Sequence, residues 1–221
     1  MAQNKYDVLG LDGSVKESIE LNPQVFDVCV KPSLIHDVVK WQLARRRQGT
    51  HATLNISRMT NTSKKMYKQK GTGRSRMGHN YSPTRVGGAV AHGPQPRSYD
   101  FKLNKKVKIA ALAGALSNKV KTKDLVIVSS LINDSGKTKD MQKSFKNLGV
   151  KKKVLVVLTG KEELKDVEKK LALSARNIAN SKILKVSGIN VYDLVNFNTL
   201  VCDKSAIGLI ENRILGLQEV K

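Results

Sequence analysis

Apolar residues recur along this chain in two rhythms, and a long middle stretch has neither. From residue 104 onward, short continuous apolar runs alternate with segments of helical period. Asn104 is placed to cap a helix reaching about Val120, with Val107, Ala111, Leu112, Ala115 and Leu116 on its inward face. Leu125–Ser129, Val154–Leu158, Ile183–Val186 and Thr199–Cys202 read as strands, and helices are expected over about 139–148, 162–173, 191–195 and 204–215. Uninterrupted apolar strands between helices predict a parallel sheet covered on both faces, joined by right-handed crossovers. The expected fold is α/β, an open, mostly parallel sheet of about four strands with helices on both faces.

The first 48 residues are mixed. Tyr6–Gly13 followed by Ser18–Leu21 reads as a hairpin turning at Asp12-Gly13, and Val25–Val30 as a short strand. Pro32-Ser33 starts a helix with Ser33 as N-cap, and Leu34, Ile35, Val38, Val39 and Leu43 form its apolar stripe. Trp41 is expected to seal one edge. The helix runs out at Arg45-Arg46-Arg47 and stops by Gly49. One cation in a last turn suits the helix dipole, whereas three in a row look like a docking point for phosphates. Residues 1–48 and 102–221 are therefore expected to form one globular α/β domain, with 49–101 inserted as an extended loop.

Residues 49–101 hold neither period. Glycines at 71, 73, 78, 87, 88 and 93 fall here, with three of the five prolines, at 83, 94 and 96. A structureless connection of about 50 residues is far beyond ordinary loop length. Ordering it alone costs on the order of 1–2 kcal/mol per residue, with no core to offset that. Folded back as two arms of about 25 residues, it could reach at most about 80 Å, a probe into something large.

Charge sharpens this picture. The 62 residues from Val38 to Tyr99 carry 13 lysines and arginines and no Asp or Glu, in a chain of net charge +22. A one-sign stretch of this length repels itself unless a polyanion neutralises it, and nucleic acid is the natural candidate. Two readings of the loop stand: a disordered basic arm for any polyanion, or an arm for folded RNA. The second is favoured by cations spaced with Gly, Thr, Ser and Gln and interleaved with Tyr67, Tyr81 and Tyr99. Small polar groups bond riboses and phosphates, and tyrosines stack on unpaired bases. Aromatics are only 5% of the chain, which argues against a wide stacking platform.

Other chemistry finds little support. Ser135-Gly-Lys-Thr138 matches the end of a phosphate loop, but the glycine required at 131 is Leu131 and no strand runs into it. Asp140 reads instead as a helix-dipole partner. Gly71-Thr-Gly73 lacks the third glycine and preceding strand of a dinucleotide fingerprint, Arg76 standing where that glycine belongs. The histidines at 36, 51, 79 and 92 share no metal-ligand spacing; those at 51, 79 and 92 either meet bases and phosphates or are simply exposed. Cys29 and Cys202 are expected to be two buried, reduced thiols. The N-terminus has no apolar signal region and no apolar run approaches 18 residues, so a cytosolic, soluble protein without a membrane span is expected.

Several segments resemble the bacterial form of large ribosomal subunit protein four: Arg47-Gln-Gly-Thr-His51, Lys64-Lys65, Lys68-Gln-Lys-Gly-Thr-Gly-Arg-Ser-Arg76, Gly87-Gly88, His92-Gly-Pro-Gln-Pro-Arg-Ser-Tyr99, Lys105-Lys106, Leu173-Ser-Ala-Arg-Asn177 and Gly188-Ile-Asn190. The resemblance covers nearly the whole chain in one order. Leu54–Ser63 departs from it, lacking the usual basic start and glycine-rich end, and Met66-Tyr67 stand where Pro-Trp is common.

The resemblance implies a globular domain on the outside of the large subunit, with a loop threaded through ribosomal RNA to the narrow part of the nascent-chain exit tunnel. There the loop would face that of another tunnel protein, near the macrolide pocket. On this reading Thr60, Asn61, Thr62, Ser63, Lys64 and Lys65 form the tip. RNA would be met by Arg45, Arg46, Arg47, His51, Arg58, Lys64, Lys65, Tyr67, Lys68, Lys70, Gly71, Gly73, Arg74 and Arg76. Arg85, His92, Arg97, Tyr99, Lys105, Lys106, Arg176 and Asn177 complete the set. Gly87 and Gly88, with Gly71 and Gly73, would let the loop turn where side chains cannot fit. The expected partners are large-subunit ribosomal RNA, neighbouring ribosomal proteins and the nascent chain. No cofactor is expected beyond structural Mg2+ held through RNA, and no enzymatic chemistry. A regulator binding a structured messenger leader, and more weakly an NTP-using enzyme, are the competing classes. Nucleotide-induced thermal stabilisation would mark the enzyme.

Overall fold

A computed structural model of the chain describes residues 5–131, 136–150, 153–160 and 165–216, with the backbone alone at 165–167. It divides into two compact units, Met1–Gln42 with Lys102–Lys221, and Leu43–Phe101.

The first unit is built on one six-stranded sheet: β1 (Lys5–Leu9), β2 (Val15–Glu20), β3 (Leu125–Val128), β4 (Val154–Leu158), β5 (Ser181–Lys185) and β6 (Thr199–Asp203), in the order β2-β1-β3-β6-β4-β5. The α/β class stands as expected, with six strands rather than four. The two extra strands are the N-terminal hairpin. Its strand β1 pairs in parallel with β3, Val8 opposite Ile127 and Leu9 opposite Val128, while β2 is the antiparallel edge. Gly13 turns the hairpin with φ +82°, a conformation that only glycine adopts at little cost.

Strand period 2 sorts the central side chains into two cores. Leu125 and Ile127, Leu155 and Val157, Leu200 and Cys202 face one core, and Val128, Val154, Val156, Leu158 and Val201 face the other. The first face is covered by α1 (Pro23–Phe26), α2 (Pro32–Arg46), α3 (Lys105–Lys121), α6 (Val191–Asn196) and α7 (Lys204–Leu215). The second is covered by α4 (Thr138–Asn147) and α5 (Lys165–Arg176), through Met141, Phe145, Leu171 and Ala175. The expected start of the α5 helix at Glu162 lies outside the described residues, as does Ser135.

Three local expectations are corrected. Val25–Val30 is not a strand. Asn22 accepts a hydrogen bond from the Gln24 amide, Pro23 takes the first helical position, and Val25 and Phe26 are buried in the short α1. The chain then lies along α3, where the Val28 amide donates to Ser117 Oγ at 2.9 Å and Val30 rests on Gly114. With Val28 and Val30 turned inward, Cys29 alternates outward and is exposed, so only Cys202 is a buried thiol. Burial of Cys202 drives its pKa well above the ordinary thiol value, which keeps it protonated and inert. In α2 the helix begins at Pro32 itself, so Ser33 is inside the helix rather than its cap, and Leu43 is 46% exposed. Proline suits the first position because its missing N–H would have no helical partner there.

Candidate nucleic-acid interface

The second unit contains no helix or strand beyond the end of α2 among its described residues. Its arms are joined instead by single backbone bonds. Arg97 N–H donates to Gly49 O at 3.2 Å, Thr53 N–H to Pro94 O at 3.0 Å, and Val90 N–H to Leu54 O at 2.8 Å. Gln95 adds a side-chain bond from Nε2 to Thr53 O at 3.0 Å. Further along, Met66 N–H donates to Gly78 O, and Ala89 N–H to Tyr81 O, closing two smaller lobes. One lobe is closed again by the Tyr67 hydroxyl donating to Ser75 O, and it presents Lys68, Lys70, Arg74 and Arg76.

At the base, aromatic and cationic groups converge. The Arg47 guanidinium carbon lies 4.0 Å and that of Arg97 4.6 Å from the Tyr99 ring centroid. The Tyr99 hydroxyl and His51 Nε2 share a hydrogen bond of 2.8 Å. Each guanidinium held against the ring gains roughly 0.5–1 kcal/mol from that contact. Gly49 permits the crossing: its φ is +67°, and a Cβ there would overlap the Arg97 carbonyl oxygen.

Every lysine and arginine from Arg45 to Arg97 is exposed, including Arg58, Lys64, Lys65 and Arg85. Ala89 is the one apolar side chain of this unit that is buried among the described residues. Thr60, Asn61, Thr62 and Ser63 are exposed as well; the Thr62 amide bonds Asn61 Oδ1 and the Lys64 amide bonds Thr62 Oγ1. His92 is exposed with φ +52°, and His79 stacks on Tyr81 with centroids 4.0 Å apart. Gly71, Gly73 and Gly87 have positive φ with open space around them, so backbone conformation explains them within the chain. At Gly88, by contrast, a Cβ would overlap the Ser82 carbonyl.

Four of the named residues belong to the other unit. Lys105 and Lys106 are exposed on the first turn of α3. Arg176 ends α5 and Asn177 follows it, both exposed. Because α3 and α5 cover opposite faces of the sheet, the two pairs are kept apart. Gly188-Ile-Asn190 serves the fold, since Asn190 caps α6 by accepting from the Asp193 amide at 2.9 Å. Asp193 is buried against Lys182 Nζ at 2.6 Å. Neither Lys182 nor Asp193 belongs to a sequence motif that marks it. A lysine on β5 and a carboxylate eleven positions later on α6 give no local sign of pairing.

Among the described residues no group of three His, Cys, Asp or Glu side chains could hold a metal, and no helix is long and apolar enough to cross a membrane. Leu131 is buried where a phosphate loop needs glycine.

Comparison with known proteins adds an independent line. The family described as "Ribosomal protein L4/L1 family" matches residues 19–213. Large ribosomal subunit protein uL4 of Rhodospirillum rubrum is 44% identical over 210 residues, 95% of this chain and 99% of that protein. The uL4 proteins of Desulforapulum autotrophicum and Caulobacter vibrioides are each 41% identical, over 94% and 95% of this chain and 97% and 96% of theirs.

Proposed function

The chain belongs to the ribosomal protein L4/L1 family, a structural and non-enzymatic constituent of the large ribosomal subunit, and from that premise we propose that it binds ribosomal RNA chiefly through residues 45–99. The observation that carries the proposal is the physical state of that segment. Thirteen lysines and arginines lie between Val38 and Tyr99 with no carboxylate among them, and those from Arg45 to Arg97 are all exposed. With Ala89 its one buried apolar side chain, the segment gains little from burial to offset an ordering cost of roughly 1 kcal/mol or more per residue. A polyanion supplies the missing stabilisation by replacing condensed counterions with fixed cations.

Arg47 and Arg97, both held against Tyr99, would meet phosphates at the loop's base. Lys68, Lys70, Arg74 and Arg76 would meet others further along. Residues 60–65 would form the tip that lines the nascent-chain tunnel, facing the loop of a neighbouring tunnel protein. Mg2+ would enter only with the RNA. By fixing converging RNA helices, the loop would support subunit assembly.

Ultraviolet crosslinking of the tagged protein in cells, with sequencing of the RNA and mass spectrometry of the peptides, tests this. Crosslinks in large-subunit ribosomal RNA made by peptides from 45–100 are expected. Crosslinks spread over messengers, with those peptides unmodified, would overturn it.

A further inference from the structure

The globular unit carries a second feature suited to RNA, distinct from the loop. A cleft of about 380 Å³ opens between α2, α3, the turn before α6, and α7. Its floor is aliphatic, with Val38 and Ile214 buried, and its mouth carries Trp41, Lys108, Ile109, Ser187 and Arg213. The Lys108 ammonium lies 3.8 Å from the centroid of the Trp41 ring. Arg213 donates from Nη1 to Val186 O, which fixes its guanidinium at the rim.

Charge distinguishes this cleft. Two other clefts of the same unit include Asp7 and Asp27 in one and Glu168 in the other, whereas this one is lined by two cations and no carboxylate. Helical spacing extends the cationic side: Lys105, Lys108, Ile109 and Leu112 fall at i, i+3, i+4 and i+7 of α3 and so share one face. A phosphodiester strand running along that face would meet Lys105 and then Lys108. The apolar floor and the indole offer an adjoining surface to a flat base, while Ser187 and Gln42 supply polar groups for a ribose or base edge. Ile109, 42% exposed at the rim, would be covered by the same nucleotide.

We propose that this cleft receives one unpaired nucleotide of an RNA strand, its phosphate at Lys105 and Lys108 and its base against Trp41 and Ile109. The proposal rests on the RNA-binding reading given above, and names a contact outside the loop.

Trp41 is the only tryptophan in the chain, so all tryptophan emission comes from the mouth of this cleft. The full chain is titrated with a large-subunit ribosomal RNA fragment, with a single-stranded oligouridylate, and with uridine monophosphate. Affinity is followed by anisotropy of labelled RNA and occupancy by Trp41 fluorescence. Either lifting the ammonium from the indole or laying a base on it changes the emission. Saturable change with both RNAs is expected, together with about tenfold weaker oligouridylate binding in Lys108→Glu and in Ile109→Glu. A chain with Lys68, Lys70, Arg74 and Arg76 all changed to Ala should lose the loop's share of the affinity yet still show a saturable Trp41 change at higher oligouridylate concentration. Equal or tighter binding of the mononucleotide would make this a site for free nucleotide and overturn the strand proposal. Tight binding of the RNA fragment with unchanged Trp41 emission and unchanged affinity in both cleft variants would also overturn it, leaving the loop reading intact. Failure of the folded wild-type chain to bind any RNA would overturn both.

Discussion

Gly49 and Gly71 both hold positive φ, +67° and +82°, for different reasons. At Gly71 nothing lies near an added Cβ, so Gly71→Ala costs only the left-handed backbone, roughly 1–2 kcal/mol locally. At Gly49 the added methyl overlaps the Arg97 carbonyl and must push the two arms apart. Gly49→Ala is therefore expected to lose the hydrogen bond from the Arg97 amide to Gly49 O and, with it, the joint contact of Arg47 and Arg97 with Tyr99. Amide hydrogen exchange reads this directly: Arg97 should exchange faster in Gly49→Ala and unchanged in Gly71→Ala. A second residue-scale effect concerns Asp203 at the start of α7. Burial raises its pKa above the ordinary value of 3.8, outweighing the hydrogen bond that Ser205 Oγ donates to it. A raised folded-state pKa favours the protonated form, so this contribution to stability is full below the ordinary value and is lost as pH rises through the folded one. Asp203→Asn keeps an acceptor for Ser205 without the charge. Its urea midpoint should exceed wild type at pH 7, and the gain should shrink toward zero below about pH 4; an equal gain at both would contradict the assignment.

At the scale of elements, α3 begins against its own dipole. Lys105 and Lys106 occupy its first turn, no acidic residue balances them, and Asn104 sits at the cap position without a side-chain bond to the helix. Cations there oppose the positive helix end, each by about 0.3–1 kcal/mol. Lys105→Glu is thus expected to stabilise the isolated protein by a few tenths of a kcal/mol to urea while weakening RNA binding several-fold. Loss of both stability and affinity would mean that Lys105 serves the fold. The same scale shows what could be read in the sequence. The helix at 204–215 was legible to the residue because Gly216, at φ +72°, ends it with a left-handed turn. Strands β3, β4 and β6 were legible because their uninterrupted apolar runs have one physical explanation, burial on both faces. Val25–Val30 misled because its valines have strand propensity, yet Asn22 and Pro23 supply a local helix start that prevails. The pairing of β1 with β3 joins residues more than a hundred positions apart, and no local pattern encodes such a register. In the loop, the individual cations were legible from charge alone. Their convergence on Tyr99 was not, since it depends on arms about 50 residues apart crossing at Gly49.

For the whole molecule the governing quantity is how its charge is distributed. Val38–Tyr99 contributes thirteen positive charges to a net of +22 and holds no carboxylate to pair with them. Repulsion among them is screened beyond about 8 Å at physiological salt, so the free chain tolerates the arrangement without relieving it. An RNA partner would relieve it by exchanging its counterions for these side chains, and its affinity would then be a steep function of salt. Each phosphate neutralised contributes about 0.7–0.9 to the slope of log affinity against log salt. The lobe closed by Tyr67 and Ser75 presents four of these cations, and changing Lys68, Lys70, Arg74 and Arg76 together to alanine removes them without touching a buried group. If they contact phosphates, the slope should fall by about 3 and the affinities of variant and wild type should converge as salt rises. Recognition dominated by tyrosine stacking would instead leave the slope unchanged and lower affinity equally at every salt concentration. Titrations of the full chain with a large-subunit ribosomal RNA fragment across a range of potassium chloride concentrations separate these two outcomes. The measurement therefore decides between charge neutralisation and base stacking as the source of the loop's affinity.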